Sequence, residues 1–332
     1  MYTHLKALIP QLANQTILVI GDVILDEYVI GQATRMSREA PVPVLEFETR
    51  QFIAGGSTNP SANIVGMGSQ AIQVGIIGED YAGKQLTQVL HETGINTAGL
   101  ITCLDRPTTV KTRIMAQMGL RFPQQVARID TVSRQPINGD IESRIIDFVR
   151  QQIPQVNAVL LSHYHGGLLT ETLVQHIIDL CQQHNVLITA DVQGNFDKFN
   201  GVDVIKCNAS DAESYLGTSL DTEAEFSHTA NQLYKKLNLK HAMIITRGGD
   251  GATIATASDV YHCPSPDVSD VFDTVGAGDT SIAMITLALA RNISPRDAVM
   301  IANYASGIVV RHVGNYAPSP DELAKSITDD KL

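Results

Sequence analysis

The apolar positions of this chain fall into short unbroken runs separated by longer amphipathic stretches. Residues 17–20 form one such run, closed by Gly21-Asp22; residues 71–77, 158–161, 186–190, 202–205 and 242–246 form others. An apolar run of this length predicts a strand buried on both faces. The intervening stretches 82–92, 141–152, 170–184 and 223–237 read as helical patterns. Strand and helix alternating at this spacing build βαβ units, and so an α/β fold with a doubly wound, mostly parallel sheet flanked by helices.

Two segments break the rhythm. Residues 27–52 hold short β-prone pieces, among them 42–47, and residues 108–130 hold another pair around 110–115 and 125–129. They predict strands of a small separate sheet, a flap over the active edge of the main domain. No internal repeat and no linker interrupts the chain. Residues 1–332 therefore read as a single domain, with the flap formed by about 27–52 and 108–130.

Composition narrows the class. A hydrophobic share of 44% with 18% charged residues suits a folded core. A net charge of -11 argues against nucleic acid as a partner, since phosphate backbones call for basic patches. A few local cations could still hold a phosphorylated substrate. No apolar stretch is long enough to span a bilayer, and the first residues lack the pattern of a signal peptide. The four cysteines are scattered without a C-x-x-C pair. They read as small buried apolar residues of a soluble cytoplasmic protein.

The strongest chemical signal is Asp273-Thr274-Val275-Gly276-Ala277-Gly278-Asp279-Thr280, followed by a helical pattern over 281–291. Two glycines let the backbone approach a ligand, and a helix start offers unpaired N–H groups and the positive end of its dipole to an anion. A carboxylate in that turn can take a proton from an attacking hydroxyl. A second signal, Gly55-Gly56-Ser57-Thr58-Asn59 leading into a helix over 62–68, suits recognition of sugar hydroxyls; a helix cap explains it about as well in isolation. Asn59 and Asn63, four apart, would share one helical face. Asp22, at the end of the first strand, could bind two vicinal hydroxyls, because ligands of parallel sheets sit beyond the strands' carboxyl ends. Neither a dinucleotide fingerprint nor a Walker A sequence is present.

These segments, in this order, resemble the ribokinase-like (PfkB) carbohydrate kinases, from about residue 17 to 323. The resemblance implies that Gly276, Ala277 and Gly278 form the anion hole for the transferred phosphoryl group and that Asp279 is the base. It implies that Asp22, Gly55, Gly56 and Asn59 bind the sugar. Asn208, Thr246 and Gly248 would serve the nucleotide and its Mg²⁺, and Asn303 would lie near the adenine. ATP and Mg²⁺ are the implied cofactors, with a monovalent cation a further candidate.

The chain is more closely similar to the heptose 7-phosphate kinases, through Gly21 to Asp26, Glu39 to Val44, Thr108 to Arg113 and Gln124 to Asp130. Lys111, Arg113 and Arg128 on the flap are candidates to grip a distal substrate phosphate. Where those kinases have D-Y-x-K-G, this chain has His163-Tyr164-His165-Gly166-Gly167; where they have D-P-K-G, it has Asp191-Val192-Gln193-Gly194. Two lysines are absent, and protonated His163 and His165 are the candidates to replace them. Two histidines are too few for a structural zinc site. The family's N-x-x-E reads Asn208-Ala209-Ser210-Asp211, so Asp211 would reach Mg²⁺ through water. Another sugar as acceptor and a catalytically impaired sugar- or nucleotide-binding relative are the alternatives; the lost lysines favour the latter and the intact Asp279 motif opposes it. The flap's β edges predict a homodimer formed through it.

Overall fold

The first strand, β1 (Thr16–Gly21), divides its side chains between two cores. Leu18 and Ile20 pack into one, Ile17 and Val19 into the other. A strand that feeds a core on each side must lie inside a sheet covered by helices on both faces. The computed structural model describes residues 2–119, 123–268 and 270–327 and shows this arrangement.

After β1 come β2 (Val23–Met36), β3 (Pro43–Gly56), β4 (Gln70–Gly78), β5 (Asn96–Cys103), β6 (Val110–Gln117) and β7 (Gln124–Thr131). They are followed by β8 (Ala158–Ser162), β9 (Leu187–Asp191), β10 (Val204–Asn208), β11 (Ala242–Thr246), β12 (Ala252–Ala255) and β13 (Val260–Cys263). The 9-stranded main sheet runs β13-β12-β11-β10-β9-β8-β1-β4-β5. It is parallel from β11 to β5 and ends in the antiparallel pair β12 and β13. This is the doubly wound α/β fold that the alternation predicts, and the ribokinase-like form of it that the resemblance implies. β5 and the β12–β13 hairpin escape the apolar-run pattern. β5 alternates exposed and buried positions at the sheet's edge, and the two hairpin strands are only four residues each.

The flap is a 4-stranded sheet in the order β3-β2-β6-β7. Its outer pairs are antiparallel, while β2 and β6 run parallel. β2 and β3 are longer than the short β-prone pieces suggest, because two register shifts let the pairing continue from Val23↔Gly56 to Met36↔Pro43. The flap therefore meets the main sheet at two adjacent joints. Asp22 lies between β1 and β2, and Gly56 closes β3 with a φ of +60°. The Ser57 N–H donates to the Asp22 carbonyl at 3.0 Å and ties the joints together. The sequence motifs around Asp22 and Gly55-Gly56 thus lie where the flap joins the main sheet.

Candidate active site

The helix Ala277–Leu289 is buried along most of its length, and its first turn opens into a cavity of about 890 Å³. Gly276 caps it with a φ of +83°. A Cβ there would lie 2.8 Å from Asn59 Nδ2, and one on Gly278 would lie 2.9 Å from Lys206 Nζ. Gly276 needs to be glycine for its left-handed φ as well as for this close approach, while at Gly278 an added Cβ would displace the lysine ammonium. The first-turn N–H groups of a helix have no intrahelical acceptor, so this turn presents donors to an anion.

Asp279 sits in that first turn and is only 7% exposed. Tyr164 Oη donates to its Oδ1 at 2.5 Å, and Asn59 Nδ2 donates to its Oδ2 at 2.8 Å. Burial, and then the nearby Asp191 charge, push the Asp279 carboxyl up to about 6; the two hydrogen bonds and Lys206 pull against them. Asn59 is itself held. Asn63 Nδ2 donates to the Asn59 carbonyl at 3.0 Å, and Thr280 Oγ1 donates to Asn63 Oδ1 at 2.9 Å. The shared face of Asn59 and Asn63 is therefore real, but its work is to orient the carboxylate. The Asn59 amide, expected to face a sugar, directs its N–H groups at Asp279 and at Asn315 Oδ1, 3.3 Å away.

The cation that the sequence reading lacked comes from β10. Lys206 is 4% exposed, and its ammonium lies 2.9 Å from each oxygen of Asp191 on β9. The two residues are direct partners in the parallel register of β9 and β10. Burial alone would discharge Lys206, yet the Asp191 carboxylate holds it above its ordinary value. A lysine inside the buried run Val204-Ile205-Lys206-Cys207 is costly unless paired, and that was the available signal.

Along the same cavity lie Asn208, Asp211, Thr246, Gly248 and Asn303. Asn208 and Asp211 form a capping box at the start of helix Ala209–Leu216. Thr246 Oγ1 donates to the Cys207 carbonyl at 3.2 Å. Asn303 Nδ2 donates to the carbonyls of Cys263 and Pro264 at 3.1 and 3.0 Å, fixing the wall of the cavity. Burial, and secondarily Asp191, raise the Asp211 carboxyl above its usual range.

At the opposite end, Asp22 differs from expectation. Its Oδ2 accepts N–H bonds from Tyr164 and Gly166 at 3.0 and 2.9 Å, and its Oδ1 accepts one from Leu168 at 3.3 Å. The carboxylate predicted to face a diol instead clasps the loop after β8. At Gly166, where the heptose kinases have lysine, an added Cβ would lie 2.5 Å from Asp22 Oδ1 in this loop conformation. Asp26 is the carboxylate laid over Gly55, whose added Cβ would sit 2.2 Å from Asp26 Oδ2. Arg113 pairs with Asp26 at 2.6 Å and Arg128 with Asp130 at 2.9 Å, so neither is a free phosphate grip. Lys111 faces the site, with its ammonium 5.9 Å from the centre of the Tyr164 ring.

His163 does not supply a replacement charge. Burial, then Lys198, drive it down to about 3, and its Nε2 lies 2.9 Å from Lys198 Nζ. A neutral imidazole accepting from that ammonium fits both observations. The His165 ring lies tilted against it, with ring centres 4.3 Å apart and the planes at 58°.

A buried carboxylate beside a glycine-capped helix start, at the carboxyl edge of a parallel sheet, is the arrangement that the resemblance to the sugar kinases implies. The model of the pfkB family carbohydrate kinases matches residues 14–322, and the chain belongs to that family. It is 35% identical over 309 residues to the bifunctional protein HldE of Helicobacter pylori strain G27, covering 93% of this chain and 65% of that protein. Against the bifunctional protein HldE of Geobacter metallireducens it is 35% identical over 312 residues, covering 93% and 62%. The chain thus spans less than two thirds of the length of these relatives. Among solved structures, Arabidopsis thaliana ribokinase complexed with ribose and ATP superposes with a TM-score of 0.73 at 18% identity, covering 95% of this chain and 99% of that one. Escherichia coli phosphofructokinase-2 in complex with potassium gives 0.74 at 17%, covering 95% and 98%.

Proposed function

We propose that the chain transfers the γ-phosphoryl group of ATP to a hydroxyl of heptose 7-phosphate, giving heptose 1,7-bisphosphate. The observation that carries this reading is the meeting of Asp279, the Lys206 ammonium and the Gly276–Gly278 turn at one cavity that extends to Thr246, Gly248 and Asn303. Phosphoryl transfer asks the protein mainly for positioning and charge stabilisation. Asp279 takes the hydroxyl proton as the new O–P bond forms and the bond to ADP breaks. Lys206 and the helix-start amides stabilise the equatorial oxygens. The Gly55-Gly56 joint lets the flap close over the sugar and exclude water.

The residues present fit Mg²⁺ held largely by water and phosphate. Among the described residues no cluster of three or more His, Cys, Asp or Glu could hold a metal; Mg²⁺ commonly keeps several waters and takes one or two carboxylates beside substrate phosphates. Asp211, on the wall of the same cavity, would hold it through water. Bound there, the ion would neutralise the phosphates. The potassium of the phosphofructokinase-2 relative supports a monovalent cation as a further cofactor.

The likeness to HldE and the inward Lys111 support the heptose phosphate. Gly166 favours a second reading, another sugar or sugar phosphate, because the loop around Asp22 in this conformation has no room for the lysine of the heptose kinases. ADP release across a panel of sugars separates them. It should be fastest with heptose 7-phosphate; a faster unphosphorylated sugar would select the second reading.

The pH dependence follows from Asp279. The proton-accepting form is present above about 6 and is lost as the pH falls through that value. The kcat/KM profile should therefore show an acidic limb near pH 6, and full activity down to pH 4 would contradict the assignment.

Residues 1–332 act in this reading as one kinase domain with its flap. A homodimer through the flap is supported by Phe47 on β3 and Ile129 on β7, large apolar side chains exposed on the flap's two edge strands. Among the described residues no helix is long and apolar enough to cross a membrane. Free, buried Cys103, Cys181, Cys207 and Cys263 support a reducing cytoplasm.

A further inference from the structure

Tyr164 is anchored at both ends. Its backbone N–H donates to Asp22 Oδ2 at 3.0 Å, and its phenol donates to Asp279 Oδ1 at 2.5 Å. The Asp22 carboxylate also holds the following turn through Gly166 and Leu168, so the backbone that carries the ring is fixed while the phenol itself is held by Asp279. Lys111 of the flap stands over the ring. The phenol thus occupies the place at the carboxylate where an acceptor hydroxyl must donate before transfer. Asn59 already takes the other oxygen.

We infer that Tyr164 is the positioning residue of the base: its phenol holds Asp279 Oδ1 in the resting site, keeps water off it, and yields that oxygen to the acceptor hydroxyl. The inference rests on Asp279 being the base. An alcohol of the substrate replaces one donor by another, so the exchange costs the carboxylate no hydrogen bond. Water could do the same only if the phenol were absent, and a water activated beside the anion hole would hydrolyse ATP.

The charged and titratable groups that act on the pair are Asp191 from β9, Lys206 from β10, and Asp26 and Lys111 from the flap. None of them changes in Tyr164→Phe. Removing the phenol donor removes one of the contacts that favour the ionised carboxylate. The acidic limb of kcat/KM should move to higher pH by about one unit. ATP hydrolysis without sugar should rise several-fold. A folded Tyr164→Phe protein whose limb stays at the wild-type position overturns the role, whatever happens to kcat. If the variant does not fold, wild-type protein made with 3-fluorotyrosine decides. Its more acidic phenol donates more strongly, so the limb should move to lower pH, and an unmoved limb overturns the inference. Asp279→Asn separates this from the wider reading: retained turnover there removes the base itself, whereas an inactive Asp279→Asn with an unmoved Tyr164→Phe limb removes only the part given to Tyr164.

Discussion

Asp279→Asn is expected to lower kcat by about a thousandfold or more, within the range of general-base contributions, while ATP still binds. The amide cannot take a proton, but it keeps the shape of the carboxylate between Tyr164 and Asn59. Stability provides the control. The folded-state value of Asp279 is about 6, above the ordinary 3.8, so its contribution to stability is fully present below about 3.8 and lost as the pH rises through 6. Above that pH the buried carboxylate costs on the order of 3 kcal/mol. The variant should therefore melt no lower than the wild type at pH 8. Loss of turnover with an unchanged or higher melting temperature assigns the defect to chemistry. Loss of turnover with a collapsed fold would assign it to packing.

The second large effect is expected at Lys206. Lys206→Met leaves the Asp191 carboxylate buried without its cation, and breaking a buried pair in this way costs about 3–5 kcal/mol. It also removes the ammonium beside Gly278, and losing one stabiliser of transition-state charge costs about 10²–10³ in kcat. The two losses separate in the double variant Asp191→Asn with Lys206→Met. Its melting temperature should recover toward the wild type, because no unpaired charge remains, while kcat stays low. Recovery of both together would make Lys206 a purely structural partner.

The main sheet was legible because buried parallel strands read as apolar runs; 242–246 coincides with β11. The flap was legible as β-prone pieces but not in extent, since its length depends on pairing that continues through two register shifts. Asp279 and its glycines could be read because a turn, a helix start and an acid are adjacent in sequence. Lys206 showed only as a lysine in a buried run; its partners could not be read, because they are its register neighbour Asp191 and Gly278, 72 positions further along the chain. Tyr164 and Asn315 were invisible for the same reason: their partners Asp279 and Asn59 are distant in sequence. For Asp22 and Asn59 the sequence showed the region but not the protein partners, the loop after β8 and the Asp279 carboxylate. Burial decided the difference. An acid or amide closed off beside backbone N–H groups or another carboxylate bonds those groups first.

The central claim is that phosphorus passes from ATP to a sugar hydroxyl at Asp279. ³¹P NMR of the wild-type reaction with Mg²⁺, ATP and heptose 7-phosphate follows it directly. As the γ resonance of ATP disappears, a second sugar phosphate resonance should grow at the same rate, beside an unchanged 7-phosphate signal and with little inorganic phosphate. Loss of the γ resonance into inorganic phosphate alone, or no loss with any sugar offered, would contradict the account.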